Sequence, residues 1–269
     1  MTSRAIVLAR GLGRRMQAVG EPLLSGEQRA AADAGLKPMI PIGGRPFLDY
    51  VLSSLADAGI LRVALVVAPR HDAIQARYVT DYPPTRIHID FVVQNEPTGT
   101  ATAVLAAERW TAGEPFLVVN GDNLYPVAIL RTLAEQEEAA CPAFRRDELV
   151  RASNIPAERL KEFALLEVDD DGYVSAIVEK PPAARLAAAG PGACVSMNCW
   201  RLDSRIFSFC REVPASARNE FELPEAIGLA VTRGLRIKAI PGDGAVLDLS
   251  KRGDIADVER RLADVSARP

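Results

Sequence analysis

The chain has 269 residues, 48 % of them apolar and 25 % charged, with a formal net charge of −3. That supplies a sizeable core and leaves no basic footprint for nucleic acid. There is no apolar run of about 18 residues to span a membrane. The four cysteines lack a CxxC pair and the two histidines stand apart. A zinc cluster is therefore not expected, and the thiols fit buried free cysteines in a reducing cytoplasm. The first residues run directly into a strand-like "RAIVLA" (4–9), without the layout of a signal peptide.

After that strand comes "LARGLGRRM" (8–16), then a long, polar, Ala-rich connection over 16–36. A connection of that length in a compact domain is functional or mobile, and closure over a bound ligand is the expectation here. "FLDYVLSSLADAG" (47–59) reads as a helix closed by Gly59. "RVALVVA" (62–68), "IHIDFVV" (87–93) and "PFLVVN" (115–120) read as further strands, and three of the four runs are near-continuously apolar, as buried parallel strands are. "HDAIQARYV" (71–79) and "GTATAVLAAERW" (99–110) read as the helices between them. The alternation predicts an α/β fold with a doubly wound, mostly parallel sheet.

Beyond about residue 140 the pattern changes. "FALLEVDDDGYVSAIVEK" (163–180) reads as a hairpin, with "DDD" in its turn and not in a metal site. "CVSMNCWRL" (194–202), "RIKAIP" (236–241) and "AVLDLS" (245–250) read as strands. "SRIFSFCREV" (204–213), "FELPEAIGLAVTRG" (221–234) and "GDIADVERRLADV" (253–265) read as helices.

In an open α/β sheet, ligands bind at the carboxyl ends of the strands. Gly11 and Gly13 follow the first strand and can turn backbone N–H groups outward to an anion, while arginines bond phosphate oxygens. Taken alone, the stretch is equally a solvated glycine turn. Asp122 ends the strand "PFLVVN" after a glycine, a good place for a hard cation. Asp248 stands among apolar neighbours, where a carboxylate needs a partner or a metal. Gln94 offers both a donor and an acceptor to a base edge.

These residues carry a family resemblance. "LARGLGRRM" resembles the LAAGxGTRM opening of sugar-phosphate nucleotidylyltransferases. "KPMIPIGGRPFLDYVL" (37–52), "QNEPTGTATAVLAA" (94–107), "VVNGD" (118–122), "VEKP" (178–181), "SMNCW" (196–200), "NEFELPEAI" (219–227) and "LDLSKRGDI" (247–255) are similar to that family's later motifs, in order. The match spans most of the chain. It implies one domain over 1–269, with a Rossmann-like nucleotide-binding half (1–140) and a smaller mixed-sheet, sugar-phosphate-binding half (141–269), arranged as in GT-A folds. The implied reaction joins a nucleoside triphosphate, UTP or dTTP, to a sugar 1-phosphate and releases pyrophosphate.

By the resemblance, Arg15 and Lys37 are catalytic. Leu8, Ala9, Gly11, Gly13, Arg14, Gln94, Pro97, Gly99, Thr100 and Gly121 hold the nucleotide. Asn123, Glu179, Lys180 and Asn198 hold the sugar phosphate, and Asp122 and Asp248 hold Mg²⁺. "NEFEL" either contacts the sugar or caps a helix. The expected partners are the two substrates, with no nucleic acid and no membrane, and a homo-oligomer is left open. The end at Pro269 carries the expectation of a single-function transferase without an appended β-helix. Arg10, Arg14, Leu247 and Ser250 depart from the family's usual residues, and the 16–36 connection is longer than usual. Three other readings remain: a regulatory subunit that binds nucleotide-sugar, a glycosyltransferase, and a dehydrogenase. The glycosyltransferase needs a DxD motif where this chain reads "NGDNLY". The dehydrogenase needs a third glycine in the first turn.

Overall fold

Apolar side chains on both faces of the first strand require a sheet covered on both sides. The computed structural model describes residues 1–11, 16, 24–190 and 192–269. In it, β1 (Arg4–Leu8) sends Ala5 and Val7 into one core cluster and Ile6 into the other. Successive strand residues point to opposite faces, so a run buried on both sides loses its polar alternation. β2 (Arg62–Val67) and β4 (Phe116–Asn120) flank β1 in parallel, and the half-buried β3 (His88–Val93) lies outside β2.

Helices cover both faces. α2 (Phe47–Asp57) and α4 (Val127–Glu135) put Phe47, Leu52, Leu55 and Leu133 into the cluster that holds Val7. The other cluster, around Ile6, takes Val104 from α3 (Thr100–Ala106), Phe207 from α5 (Ile206–Glu212) and Ile227 from α6 (Leu223–Thr232). Beyond β4 the sheet continues with mixed pairing. β10 (Trp200–Leu202), β6 (Ala140–Arg145), β9 (Cys194–Ser196), β7 (Ala164–Val168) and β8 (Val174–Val178) follow in that spatial order. β11 (Lys238–Pro241) joins β6 in parallel. Strands β5 (Asn123–Leu124) and β12 (Leu247–Asp248) pair separately, and α7 (Asp254–Leu262) follows them. The doubly wound α/β expectation therefore holds. The chain passes from β1 to β2 on one side and returns after β3 to β4 on the other, so a crevice opens at the carboxyl ends of β1 and β4.

Two expectations change. The 16–36 connection contains a helix, α1 (Gly26–Asp33), begun by a capping box. Gln28 N–H donates to Ser25 Oγ at 3.2 Å, and Ser25 N–H donates to Gln28 Oε1 at 3.1 Å. "SGEQ" spells that signal, and the alanine-rich surroundings masked it. The single strand expected over 194–202 is two, β9 and β10. Asn198 takes a φ of 56° between them and breaks the ladder. Among the described residues, no helix is long and apolar enough to cross a membrane.

The segment 94–102 and the segment before α6 are stitched together. Phe221 N–H donates to Thr98 O at 2.7 Å, Ala101 N–H to Phe221 O at 2.9 Å, and Leu223 N–H to Thr100 Oγ1 at 2.8 Å. Gly99 sits between them at a φ of +127°, and a Cβ there would press into the Phe221 backbone. Gly99→Ala is expected to destabilise the fold by about 2 kcal/mol or more, from both the left-handed strain and the overlap, measured by urea unfolding.

Candidate functional site

β4 ends in the turn Asn120-Gly121-Asp122-Asn123. Gly121 N–H donates to Leu8 O at 2.9 Å, and a Cβ at Gly121 would lie 3.1 Å from that oxygen. Glycine thus lets the turn close against the end of β1. That closure points Asp122 into a cavity of about 270 Å³. Lys37, Thr100, Asp122, Asn123, Glu179, Lys180, Asn198 and Asp248 all line it, so residues 37 to 248 of the sequence reading meet in one place. A larger cavity of about 470 Å³, lined chiefly by Tyr50, Leu124, Val127, Leu262 and Val265, gathers no comparable set of charges.

Lys37 stands on a short 3-10 turn (Lys37–Met39), and its ammonium pairs with the Asp122 carboxylate. The same Nζ lies 3.4 Å from Ser250 Oγ. Asp248 lies deeper, at 2 % exposure. One of its oxygens accepts from Asn123 Nδ2 at 2.8 Å and Ser250 Oγ at 2.9 Å, and the other is paired with Arg159. Burial pushes the Asp248 carboxyl above the ordinary range; Lys37 and Arg159 pull against that, and Asp122 adds to it.

A chain of side-chain hydrogen bonds crosses the cavity floor. Trp200 Nε1 donates to Asn198 Oδ1 at 2.8 Å, and Asn198 Nδ2 donates to Asn120 Oδ1 at 2.8 Å. Asn120 Nδ2 donates to Asn123 Oδ1 at 2.9 Å, and Asn123 reaches Asp248. The far wall carries Glu179 and Lys180, 3.2 Å apart, and the paired Arg218, Glu220 and Glu222. Among the described residues, the non-glycine left-handed positions are Ala112, Lys180, Asn198 and Asn219. Two of these line the cavity and a third separates Arg218 from Glu220, the crowding of strained backbone that marks functional sites.

The nucleotide-side residues divide. Ala9 and Gly11, with Arg10, Arg70 and His71, line a further cavity of about 190 Å³. Gln94 is buried and gives both Nε2 hydrogens away, to Gly99 O at 2.9 Å and Thr102 Oγ1 at 2.8 Å. Its donors stitch the turn, so its oxygen is the polar atom left for a ligand. Pro97 lies in the same segment, and Leu8 contributes its carbonyl to Gly121. Arg10 Nη2 donates to Asn95 O at 2.9 Å, while its Nε and Nη1 are buried without a partner. Burial also lowers the Arg10 pKa, with Glu96 opposing. Gly13, Arg14 and Arg15 lie outside the described residues.

Several residues of this site escaped the sequence reading. Arg159, buried at 5 % exposure, sits in the polar stretch 153–163 with no pattern to single it out. Asn154 clamps the Asp248 backbone, donating to its carbonyl and accepting from its N–H, each at 2.8 Å. Asn120 and Ser250 are short polar residues whose partners lie far along the chain. In "NEFEL", Glu222 occupies the N-cap position of α6 without a side-chain capping hydrogen bond, and it lines the cavity.

The chain matches the nucleotidyl transferase family over residues 29–264. It belongs to that family. It is 26 % identical over 261 residues to a UTP–glucose-1-phosphate uridylyltransferase, AglF, of Haloferax volcanii, covering 97 % of each chain. It is 25 % identical over 265 residues to a glucose-1-phosphate thymidylyltransferase of Streptomyces griseus, covering 98 % of this chain and 67 % of that one. It spans about half, 54 %, of a bifunctional protein GlmU of Methanocaldococcus jannaschii. A UDP-glucose pyrophosphorylase solved with UDP-glucose superposes with a TM-score of 0.79 at 18 % identity, over 99 % of this chain and 100 % of that chain. At that identity the likeness speaks for the fold.

Glu179 yields a pH prediction for this family member. Burial holds its carboxyl above the ordinary glutamate range, with Lys180 opposing and Glu222 adding. A raised folded-state pKa means that ionisation costs folding free energy as pH rises. Glu179→Gln is therefore expected to melt higher than the wild type near neutral pH, and the gap should close as pH falls to about 4, followed by thermal melts across pH.

Proposed function

We propose that this chain transfers a nucleotidyl group from UTP or dTTP to a sugar 1-phosphate, releasing pyrophosphate. The observation that carries this reading is the single cavity with a cation–carboxylate pair on each side. Lys37 and Asp122 share its lining with Glu179 and Lys180 and with the amides of Asn120, Asn123 and Asn198. Two cations set apart suit two phosphate-bearing substrates, and carboxylate and amide groups suit sugar hydroxyls. The AglF and S. griseus relatives, whose names specify UTP and thymidylyl transfer to glucose 1-phosphate, support the choice of donor and acceptor.

In the reaction, a phosphate oxygen of the sugar 1-phosphate attacks the α-phosphorus. The new P–O bond forms in line as the bond to the bridging oxygen of the β-phosphate breaks, and pyrophosphate leaves with that oxygen. Charge neutralisation and alignment supply most of the rate in such transfers. Lys37 offsets charge on the α-phosphate, and Arg15 of the sequence "GLGRRM" grips the departing pyrophosphate. Lys180 holds the sugar phosphate, and Glu179 accepts from sugar hydroxyls. Gln94, through its free oxygen, accepts an N–H of the base.

Mg²⁺ belongs to this reading as the ion that neutralises triphosphate oxygens. Asp122 fits it, being an oxygen donor that faces the cavity with a flexible lysine as partner. Asp248, buried and already accepting from Asn123, Ser250 and Arg159, is a poor fit. The four free cysteines suit a cytoplasmic location, where thiols stay reduced.

Purified protein with Mg²⁺ should release pyrophosphate from UTP or dTTP with one member of a panel of hexose 1-phosphates. Asp122→Asn and Lys37→Ala should each lower that rate by about 100-fold or more. Retained nucleotide binding with no pyrophosphate from any pair would overturn the reading in favour of a binding protein.

A further inference from the structure

The second carboxylate of the cavity is built differently from the first. Asp248 Oδ2 is paired with Arg159, and the two side chains are 3 % and 6 % exposed. Its Oδ1 takes two donors, Asn123 Nδ2 at 2.8 Å and Ser250 Oγ at 2.9 Å. Arg159 is held from the other side as well, donating from Nη1 to Asp254 Oδ1 at 2.6 Å. Asp254 is fixed in turn, because its Oδ2 accepts from Ser250 N–H at 2.8 Å and Lys251 N–H at 2.7 Å. Asp122, by contrast, is 26 % exposed, and among the described residues its carboxylate pairs with a lysine on a flexible stem.

A magnesium ion needs free oxygen lone pairs, keeps several waters, and is commonly held by one or two carboxylates together with substrate phosphates. At Asp248 it would have to take Oδ1 from Asn123 and Ser250 or share Oδ2 with Arg159, and any loosening of that pair leaves the buried guanidinium with Asp254 alone as its hydrogen-bonded carboxylate. Breaking a buried pair from one side is strongly unfavourable. At Asp122 it has only to move Lys37 aside.

We infer that Asp248 is not a metal ligand: Arg159 holds it as a buried positioning anion, and the divalent cation rests on Asp122 and the substrate phosphates. The inference rests on the nucleotidyl-transfer reading only for those phosphates. Asp248 acts through its neighbours. It fixes Ser250, which lies 3.4 Å from Lys37 Nζ, and it anchors Asn123 at the end of the asparagine chain across the floor. A buried ion pair thus supplies locally the positive charge that a second metal contact would bring.

The deciding experiment is a crystal structure of the wild-type protein grown with Mn²⁺ and UTP, with the metal located by anomalous scattering. The expected result is a manganese peak on an Asp122 oxygen with Asp248 still paired to Arg159. A peak with an Asp248 oxygen in its coordination sphere, or no peak at Asp122, overturns the proposal. Manganese on Asp122 without nucleotide density would instead count against the transferase reading and leave this proposal standing. Kinetics give a second readout. Asp122→Asn should raise the half-saturating Mg²⁺ concentration about tenfold or more, while Asp248→Asn lowers kcat about tenfold at a Mg²⁺ requirement changed by less than about threefold. An Mg²⁺ requirement raised as much by Asp248→Asn as by Asp122→Asn would sink it.

Discussion

Two carboxylates meet where β1 and β4 end, and a carboxylate taken out of water must be given cations and donors or it will not stay ionised. Much of the local architecture follows from meeting that demand. Lys37 reaches Asp122 from a tight turn, Arg159 reaches Asp248 from 89 residues earlier in the chain, and Ser250 lies between them. Arg159 is in turn answered by Asp254 at the start of α7, so the charge set continues into the helix that follows β12. The peptide groups are enlisted too: Leu249 N–H donates to the Asp122 carbonyl at 2.9 Å and so ties the two carboxylate-bearing segments together.

The opposite side of the cavity obeys a steric constraint. Lys180 and Asn198 sit at φ values of 46° and 56°, conformations that L-residues adopt at a cost. At Asn198 the bend stops β9 from running on into β10. The side chain is thereby turned to Asn120 and Trp200 and away from a strand's alternating faces. At Lys180 the bend ends β8 and brings its ammonium back beside Glu179. The cavity is therefore shaped partly by backbone that the surrounding sheet holds in place.

How far the sequence foretells this depends on whether a signal is local. The strands β1, β2 and β4 are written as continuous apolar runs because both faces are buried, and any reader of hydrophobic pattern finds them. Asp122 is legible because a carboxylate after a glycine at a strand end has few other uses. Arg159 is not legible. Its partner Asp248 lies 89 residues away, and nothing in the stretch around 159 distinguishes a buried arginine from a solvated one. The break at Asn198 is hidden for the opposite reason: its neighbours are good strand formers, and the bend rests on the asparagine chain and on short-range bonds to Ser196 and Trp200. Gln94 shows a third limit. Its side chain type is informative, but only the fold reveals that its donors are spent on Gly99 and Thr102.

The seam between residues 94–102 and 218–225 bears on how such a chain can diversify. The Phe221 peptide bonds to both Thr98 and Ala101, and Gly99 leaves no clearance against it. Lengthening either segment by one residue would put the other out of register. Side chains such as Arg10 and Glu220 can be exchanged while that frame stays fixed. Grafting whole loops from a relative would disturb both halves at once.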